Sequence, residues 1–288
     1  MIVGINCNYS RFFDPELGCY YPNRRSNLFQ SHDDFNEEHK KLSIAEYKPQ
    51  SEVNHLSLSG SVISPPTKLT ELRKVELPHM CTTVSTYQGS TYVGVDIEPD
   101  NRLRECGEII TIGTDSKVNS FAEFDGTIYG LAIDGSMMYT TSGVSPQVVS
   151  VHDLSTGKLV RSWNHSETIQ YYSNNLAIVG GENVVIADRS NKRLSVYTLT
   201  GQIIKQIPCQ KLQGANMAMC AADNDSVIVS DYHSDSVYRI SITTGRVLWE
   251  YRHFQRFEGV TCYNNQYVLA VTRGEKLKIQ ILDLKTGE

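Results

Sequence analysis

Hydrophobic residues along most of this chain occur in short runs separated by polar turns, and one central stretch shows the pattern most clearly. Val184–Ala187 is a continuous apolar run, as in a strand buried on both faces, and a polar turn follows it. Leu194–Leu199 alternates apolar and polar side chains, Thr200-Gly201 reverses the chain, and Ile203–Ile207 is again apolar at its ends. The pattern predicts three short strands joined by tight turns.

The Thr-Gly turn of this stretch recurs at nearly constant spacing. Its glycines are Gly157, Gly201, Gly245 and Gly287, which lie 44, 44 and 42 residues apart. Glycine suits a tight hairpin because it adopts a positive φ at little cost. Two fainter strand–glycine–strand copies precede them, centred on Gly107 and Gly60. The chain is therefore built from repeats.

The strands recur together with the turns. A further short strand precedes the apolar one in the later units, at Met217–Ala221 and Gly259–Tyr263, and is expected to be innermost. Four-stranded units of roughly 40–50 residues predict an all-β fold, a β-propeller. The apolar strands of the successive units are Thr91–Val95, Met137–Thr141, Val184–Ala187, Val227–Ser230 and Tyr267–Val271.

Five units can be counted, and the last stops directly after its Thr-Gly turn. Because proteins usually protect a bare sheet edge, either a strand within Gly60–Leu77 fills the outer position and closes the ring, or the chain is part of a longer protein. The units are Pro78–Ser120, Phe121–Ser166, Glu167–Leu212, Gln213–Phe254 and Gln255–Glu288.

The first 53 residues differ in character from residues 54–288, which we assign to the propeller. They are turn-rich and charged, so we expect an irregular segment with a short helix near Asp34–Ala45. Cys7, Cys19, His32 and His39 are too widely separated for the usual paired-ligand zinc knuckle. We expect no metal and no cofactor.

Charge and cysteine usage narrow the functional class. The net charge of −5 argues against a DNA-binding protein, and no apolar run is long enough to span a membrane. The seven cysteines contain no CxxC pair, which predicts reduced thiols and a cytoplasmic location. The sequence also lacks the GxSxG, HExxH and Walker motifs, and Gly180-Gly181 lies in a turn between strands.

The central unit resembles the NHL repeat. Apolar residues are followed by Asp188, Asn191 and Arg193, then by a strand with Tyr197 and by Gly201. The region from residue 60 to 288 resembles the C-terminal NHL propeller of tripartite-motif (TRIM) proteins, which implies six blades and selection of targets for ubiquitination. The RING, B-box and coiled-coil patterns of that family do not occur in this sequence.

Some residues recur from one unit to the next and could have either a functional or a structural role. Asp188 and Asp231 recur at strand ends, which favours a turn-forming role over catalysis, because a catalytic residue is needed only once. Trp163 and Trp249 follow Thr-Gly turns, as in quinoprotein-type propellers, and are expected to pack between blades.

Basic and aromatic residues in the turns are the binding candidates. If the blades are in phase, they gather on one rim of the disc. They could hold a protein partner or single-stranded RNA, and the acidic residues nearby favour the protein partner. The candidates are Arg189, Lys192, Arg193, Tyr232, His233, Arg252, His253, Arg256, Arg273 and Lys276.

Two functions remain open from the sequence. The favoured one is a non-catalytic recognition module that binds its partner on the rim. The alternative is a propeller hydrolase, lactonase or lyase with a metal in the central channel. An enzyme needs polar side chains on the innermost strands, where Asn174, Asn175 and Asn216 are the candidates.

Overall fold

All regular structure in the described residues is β-strand, which confirms the all-β class. Among these residues there is no helix of the length and apolarity that would cross a membrane. The computed structural model describes residues 70–77, 79–97, 106–143, 147–166, 175–188, 191–212, 217–254, 256–263, 265–273 and 277–288, together with four short strands before them.

The N-terminal strands form two small sheets. β1, β4 and β5 make a three-stranded sheet, while β2 pairs with β3. The helix expected near residues 34–45 is wrong at its C-terminal end, because Leu42 and Ile44 alternate with polar Ser43 in a strand that pairs with β5. The strands are β1 (Ile2–Val3), β2 (Arg11–Asp14), β3 (Cys19–Pro22), β4 (Lys41–Glu46) and β5 (Thr70–Glu76).

The expected N-terminal strand exists but has a different partner. β5 lies within the predicted 60–77 range, yet it pairs with β4 and adds no outer strand to the last blade. Val75 and Leu77 pack instead against the first blade, in a cluster with Val93 and Ile110. The boundary predicted between residues 53 and 54 lies outside the described residues and stays a prediction.

Five antiparallel sheets follow as the blades of a β-propeller, one for each predicted repeat. Four have four strands, the last has three, and consecutive strands are neighbours throughout. The first three blades comprise β6 (Met80–Tyr87), β7 (Ser90–Ile97), β8 (Cys106–Ile112), β9 (Val118–Asp125); β10 (Ile128–Asp134), β11 (Met137–Ser142), β12 (Gln147–Asp153), β13 (Leu159–Ser166); and β14 (Leu176–Val179), β15 (Asn183–Asp188), β16 (Arg193–Thr198), β17 (Ile203–Pro208).

The last two blades continue the same order, and no sixth blade of the kind implied by the NHL resemblance is present among the described residues. They comprise β18 (Met217–Ala221), β19 (Ser226–Asp231), β20 (Ser236–Ser241), β21 (Val247–Arg252); and β22 (Arg256–Tyr263), β23 (Tyr267–Arg273), β24 (Leu277–Asp283).

The core lies between the blades. In β15, Val184 and Ile186 pack toward blade 2 with Tyr139, whereas Val185 and Ala187 pack toward blade 4. These four side chains of β15 are fully buried, because a middle strand is covered on both faces. This explains why the middle strands appear as continuous apolar runs in the sequence.

The repeated Thr-Gly turns lock neighbouring blades together. Gly201 has φ +90°, and a Cβ placed on it would lie 2.6 Å from Trp163 of the preceding blade. Gly287 has φ +77° and would meet Trp249 at 2.8 Å. Each tryptophan lies 38 residues before the glycine that it covers (201 − 163 and 287 − 249). The prediction that both tryptophans pack between blades is confirmed.

The copy predicted at Gly107 is out of register. Gly107 lies inside β8, and the turn of blade 1 spans Gly113–Lys117, closed by the hydrogen bond from Gly113 N to Lys117 O at 3.2 Å. Gly113 begins this turn, as Asp153 does in blade 2, where Asp153 N donates to Lys158 O at 3.0 Å. In blade 1 Ser116 takes the positive φ of 66°, so the Thr-Gly signature is missing. The copy at Gly60 lies outside the described residues.

Candidate functional site

The five innermost strands surround a cavity of about 330 Å³. β6, β10, β14, β18 and β22 each contribute to its wall, and each is the first strand of its sheet. The free edge of every innermost strand therefore brings backbone N–H and C=O groups to the region around the cavity. We call this space the axial cavity.

The side chains of the axial cavity are mainly small and aliphatic. Hydroxyls come from Ser85, Thr86 and Thr261, and thiols come from Cys220 and Cys262. Among the described residues, none that lines the cavity carries a carboxylate, imidazole or amine for acid–base chemistry.

Asn175 is the one axial asparagine of the three predicted that the structure describes. It is 3% exposed, and its backbone O accepts a hydrogen bond from Ala187 N at 3.1 Å. Within the described part of the chain, its side-chain Nδ2 has no hydrogen-bond partner. Asn174 and Asn216 lie outside the described residues. Asn175 thus carries a buried amide donor without a described partner beside the cavity.

Cys220 and Cys262 face each other across blades 4 and 5. Their sulfur atoms are 3.5 Å apart, and both residues are partly buried. The hydrogen bond with Cys262, followed by burial, raises the pKa of the Cys220 thiol well above its ordinary value. The Cys220 thiol is therefore protonated at neutral pH.

Strand register places the binding candidates on one rim of the propeller. Three pairs of residues face each other across neighbouring antiparallel strands, and all three lie at the same end of their blades. They are Asp188 with Arg193, Asp231 with Ser236, and Arg256 with Arg273. Turns that follow the second strand of each blade therefore emerge on this rim. Arg189, Lys276 and the side chain of Arg273 lie outside the described residues.

Arg193 is tied to the scaffold. Its Nε donates to Asp188 Oδ2 at 2.8 Å, and its Nη1 donates to Gln206 Oε1 at 2.8 Å. The fully buried Asp188 also accepts hydrogen bonds from the backbone N and side-chain Nδ2 of Asn191. Asp188 therefore stabilises the turn, as predicted. Arg193 uses part of its hydrogen-bonding capacity to hold the same turn.

Tyr232 and Arg256 form the best-defined contact on the rim. The Arg256 guanidinium lies 4.6 Å from the Tyr232 ring centroid, and its Nη1 donates a hydrogen bond to the Tyr232 hydroxyl. His233 packs edge-on against Tyr232 at 5.6 Å, and its backbone N donates to Asp231. Tyr232 joins blade 4 to blade 5 while leaving Arg256 exposed.

Phe254 was missed by the sequence reading. It is 83% exposed and stacks on His253 at 4.2 Å between ring centroids. His253 in turn lies 6.4 Å from Tyr251 and parallel to it. The sequence signal that could have revealed Phe254 was a phenylalanine within the otherwise polar connector Arg252–Arg256. Its exposure depends on the connector's conformation, which periodicity does not reveal.

The remaining candidates, Arg252 and Lys192, have exposed side chains. Arg252 donates from Nε to Glu250 Oε1 at 2.6 Å, and Lys211 of the preceding blade also contacts Glu250. Burial raises the pKa of Glu250, but the hydrogen bonds from Lys211 and Arg252 outweigh it and hold the pKa below its usual value. Lys192 is exposed at a left-handed turn position with φ +48°.

Tyr232, Arg252, His253, Phe254 and Arg256 are grouped at the blade 4–blade 5 junction, and we call them the rim patch. It combines an exposed aromatic ring, two arginines and a nearby carboxylate, Glu250. Aromatic and arginine side chains dominate the energetics of protein interfaces. The rim patch has the composition of a binding surface.

In the described part of the chain, the blades and the axial cavity define a β-propeller with five blades. Two solved structures are similar to this chain in fold: virginiamycin B lyase from Staphylococcus aureus, a catalytically inactive variant with quinupristin, and a streptogramin B lyase. The first is 12% identical with a TM-score of 0.51, covering 97% of this chain and 87% of the lyase. The second is 11% identical with a TM-score of 0.55, covering 97% and 86%.

The sequence comparisons add no relative. No family model matches the chain, and no curated protein matches it. At this identity the lyases establish the fold alone.

Proposed function

We propose that this propeller is a non-catalytic recognition module that binds a protein partner through the rim patch. The observation that carries the proposal is Phe254, a large apolar side chain that is 83% exposed and lies two residues before Arg256, which contacts Tyr232. Exposed aromatic rings next to arginine are typical anchors of protein interfaces. The nearby Glu250 gives the patch both charge signs, which suits a protein partner better than a polyanion.

Single-stranded RNA is the competing ligand for the same rim. Phe254 could stack on a base, and Arg252 and Arg256 could neutralise phosphates. The net charge of −5 and the ion pair of Arg252 with Glu250 weigh against it.

The NHL resemblance gives the module a cellular context. The hydrogen bonds that Asp188 accepts from Asn191 and Arg193 account for why these three residues occur together in that repeat. In a longer chain with a RING, the module would select proteins for ubiquitination. The free cysteines of the described residues fit a reducing compartment such as the cytoplasm.

Affinity capture tests the proposal. The tagged chain serves as bait with and without RNase, beside Phe254→Ala/Arg256→Ala and a control, Leu248→Ala, which alters a 50% exposed side chain of blade 4 away from the patch. We expect the same protein to be retained by wild type and control, independent of RNase, and lost by the double variant. Loss on RNase treatment would assign the rim to RNA, and retention by the double variant would exclude the patch.

A second candidate is an enzyme that works in the axial cavity, since two structural neighbours of this chain are lyases. The observation that favours it is the unpartnered Asn175 amide in the cavity wall. Incubating the chain with quinupristin and a divalent cation, followed by mass spectrometry, checks it. Our account predicts intact quinupristin. Conversion that is lost in Asn175→Ala would move the function to the cavity.

A further inference from the structure

Cys220 and Cys262 lie on the innermost strands of successive blades, 42 residues apart. Both belong to the cluster that joins blades 4 and 5, together with Val260, which lies two residues before Cys262 on the same side of β22. Each thiol therefore points toward the neighbouring blade. Their sulfur atoms, 3.5 Å apart, are within a small side-chain rotation of bonding distance.

The pair also borders a space that small reagents can enter. Both cysteines belong to the wall of the axial cavity, and both are partly exposed, in contrast to the buried Cys81 and Cys209. A peroxide is small enough for a cavity of about 330 Å³.

We propose that Cys220 and Cys262 are a reversible oxidation site that forms a disulfide between blades 4 and 5. One thiolate attacks a peroxide oxygen, giving a sulfenic acid and releasing one water or alcohol molecule. The second thiol then attacks the sulfenic sulfur and displaces water. The two sulfurs lose two electrons in total, which reduce the peroxide O–O bond. A dithiol reductant reverses the reaction.

The disulfide closes a long loop, so it restricts the unfolded chain. We expect oxidation to raise the midpoint of thermal unfolding by about 5–10 °C. Because the pKa of the Cys220 thiol is raised, oxidation is expected to be faster at alkaline pH, where more thiolate is present.

Peptide mapping of the native chain after treatment with hydrogen peroxide tests the site without any variant. We expect a cross-linked pair of peptides carrying Cys220 and Cys262 that disappears on reduction. Cys106→Ser, which alters another partly exposed thiol, should keep both the cross-link and the thermal shift. The variants Cys220→Ser and Cys262→Ser should show neither the cross-link nor the thermal shift.

The proposal is overturned if Cys220 and Cys262 are both still alkylated by iodoacetamide in the native, peroxide-treated protein. It is also overturned if the cross-link forms only in denaturant. Both outcomes are read on the wild-type chain, so they do not depend on whether the serine variants fold. Partner binding at the rim patch is not involved, and its failure would leave this site untouched.

Discussion

Asp188 shows how a single buried carboxylate can organise a turn. It is fully buried and is paired with Arg193, whose side chain is 26% exposed. Asp188→Ala would leave Arg193 and Asn191 without their acceptor. Because Asn191 and Arg193 lose a buried acceptor of their hydrogen bonds, we expect the free energy of unfolding to fall by about 1–3 kcal/mol. Urea denaturation measures the change.

Lys192→Ala is the control for Asp188→Ala. Lys192 lies in the same turn with an exposed side chain, so its removal should change stability by less than about 0.5 kcal/mol. If the two substitutions lowered the free energy of unfolding equally, the loss would come from disturbing the turn and not from removing the carboxylate.

His165 makes stability depend on pH. It is buried between blades 2 and 3, with Nδ1 2.9 Å from the Tyr197 hydroxyl. Burial, aided by the Arg193 charge and opposed by Asp188, lowers the pKa of His165 to about 4 from 6.5. Below pH 6.5 the unfolded state therefore binds a proton that the folded state refuses, and stability falls as the pH drops toward 4.

The expected loss from His165 across that window is on the order of 3 kcal/mol. His152, whose pKa burial also lowers, contributes with the same sign. His165→Gln keeps a polar side chain without the titration. Urea unfolding at pH 7 and pH 4.5 should show a smaller pH effect in this variant than in wild type. An identical pH effect would contradict the role of His165.

At the scale of elements, the glycine turns tie each blade to the one before it. Gly201 needs a positive φ and also leaves room for Trp163. Gly181 has φ +66° but open space around its Cβ position, so the two glycines separate backbone strain from steric overlap. Gly181→Ala should cost about 1–2 kcal/mol from backbone strain alone.

Gly201→Ala should cost about 1–3 kcal/mol more than Gly181→Ala, since its methyl group would overlap Trp163. In a Trp163→Ala background, the cost of Gly201→Ala should fall to that of Gly181→Ala. Chemical denaturation of the four variants measures both effects. Additive costs would show that Trp163 and Gly201 do not interact.

The elements were predictable where local pattern and burial agree. The middle strands are covered on both faces, so runs such as Val184–Ala187 appear directly in the sequence. Blade 1 was harder, since its turn uses Ser116 and Asp115 around Gly113, and the visible Gly107 lies inside a strand. β4 was mistaken for a helix because its strand partner, β5, is remote in sequence.

The rim was predictable in position but not in detail. Register places the turns together, as the repeat predicts. That Arg193 is bound by Asp188, or that Phe254 projects from its connector, depends on contacts between side chains and on irregular backbone. Neither has a periodic signature. The axial cavity likewise combines residues from all five blades, which a single repeat does not reveal.

On the scale of the whole molecule, the propeller offers two surfaces with different chemistry. The axial cavity is narrow, mainly aliphatic and bounded by innermost strands. The rim patch spans two blades and presents Phe254 and Arg256 to solvent. A rigid disc with an aromatic–arginine patch at its edge is suited to holding a partner with little rearrangement.

Equilibrium binding of the captured partner to purified variants tests the central claim most directly. Phe254→Ala removes the anchor of the rim patch, whereas Leu248→Ala removes an exposed apolar side chain of blade 4 outside it. We predict that Phe254→Ala weakens the affinity at least about 30-fold, as expected for an interface hot spot of 2 kcal/mol or more, and that Leu248→Ala leaves it unchanged. Unchanged affinity of a folded Phe254→Ala would contradict recognition through the rim patch.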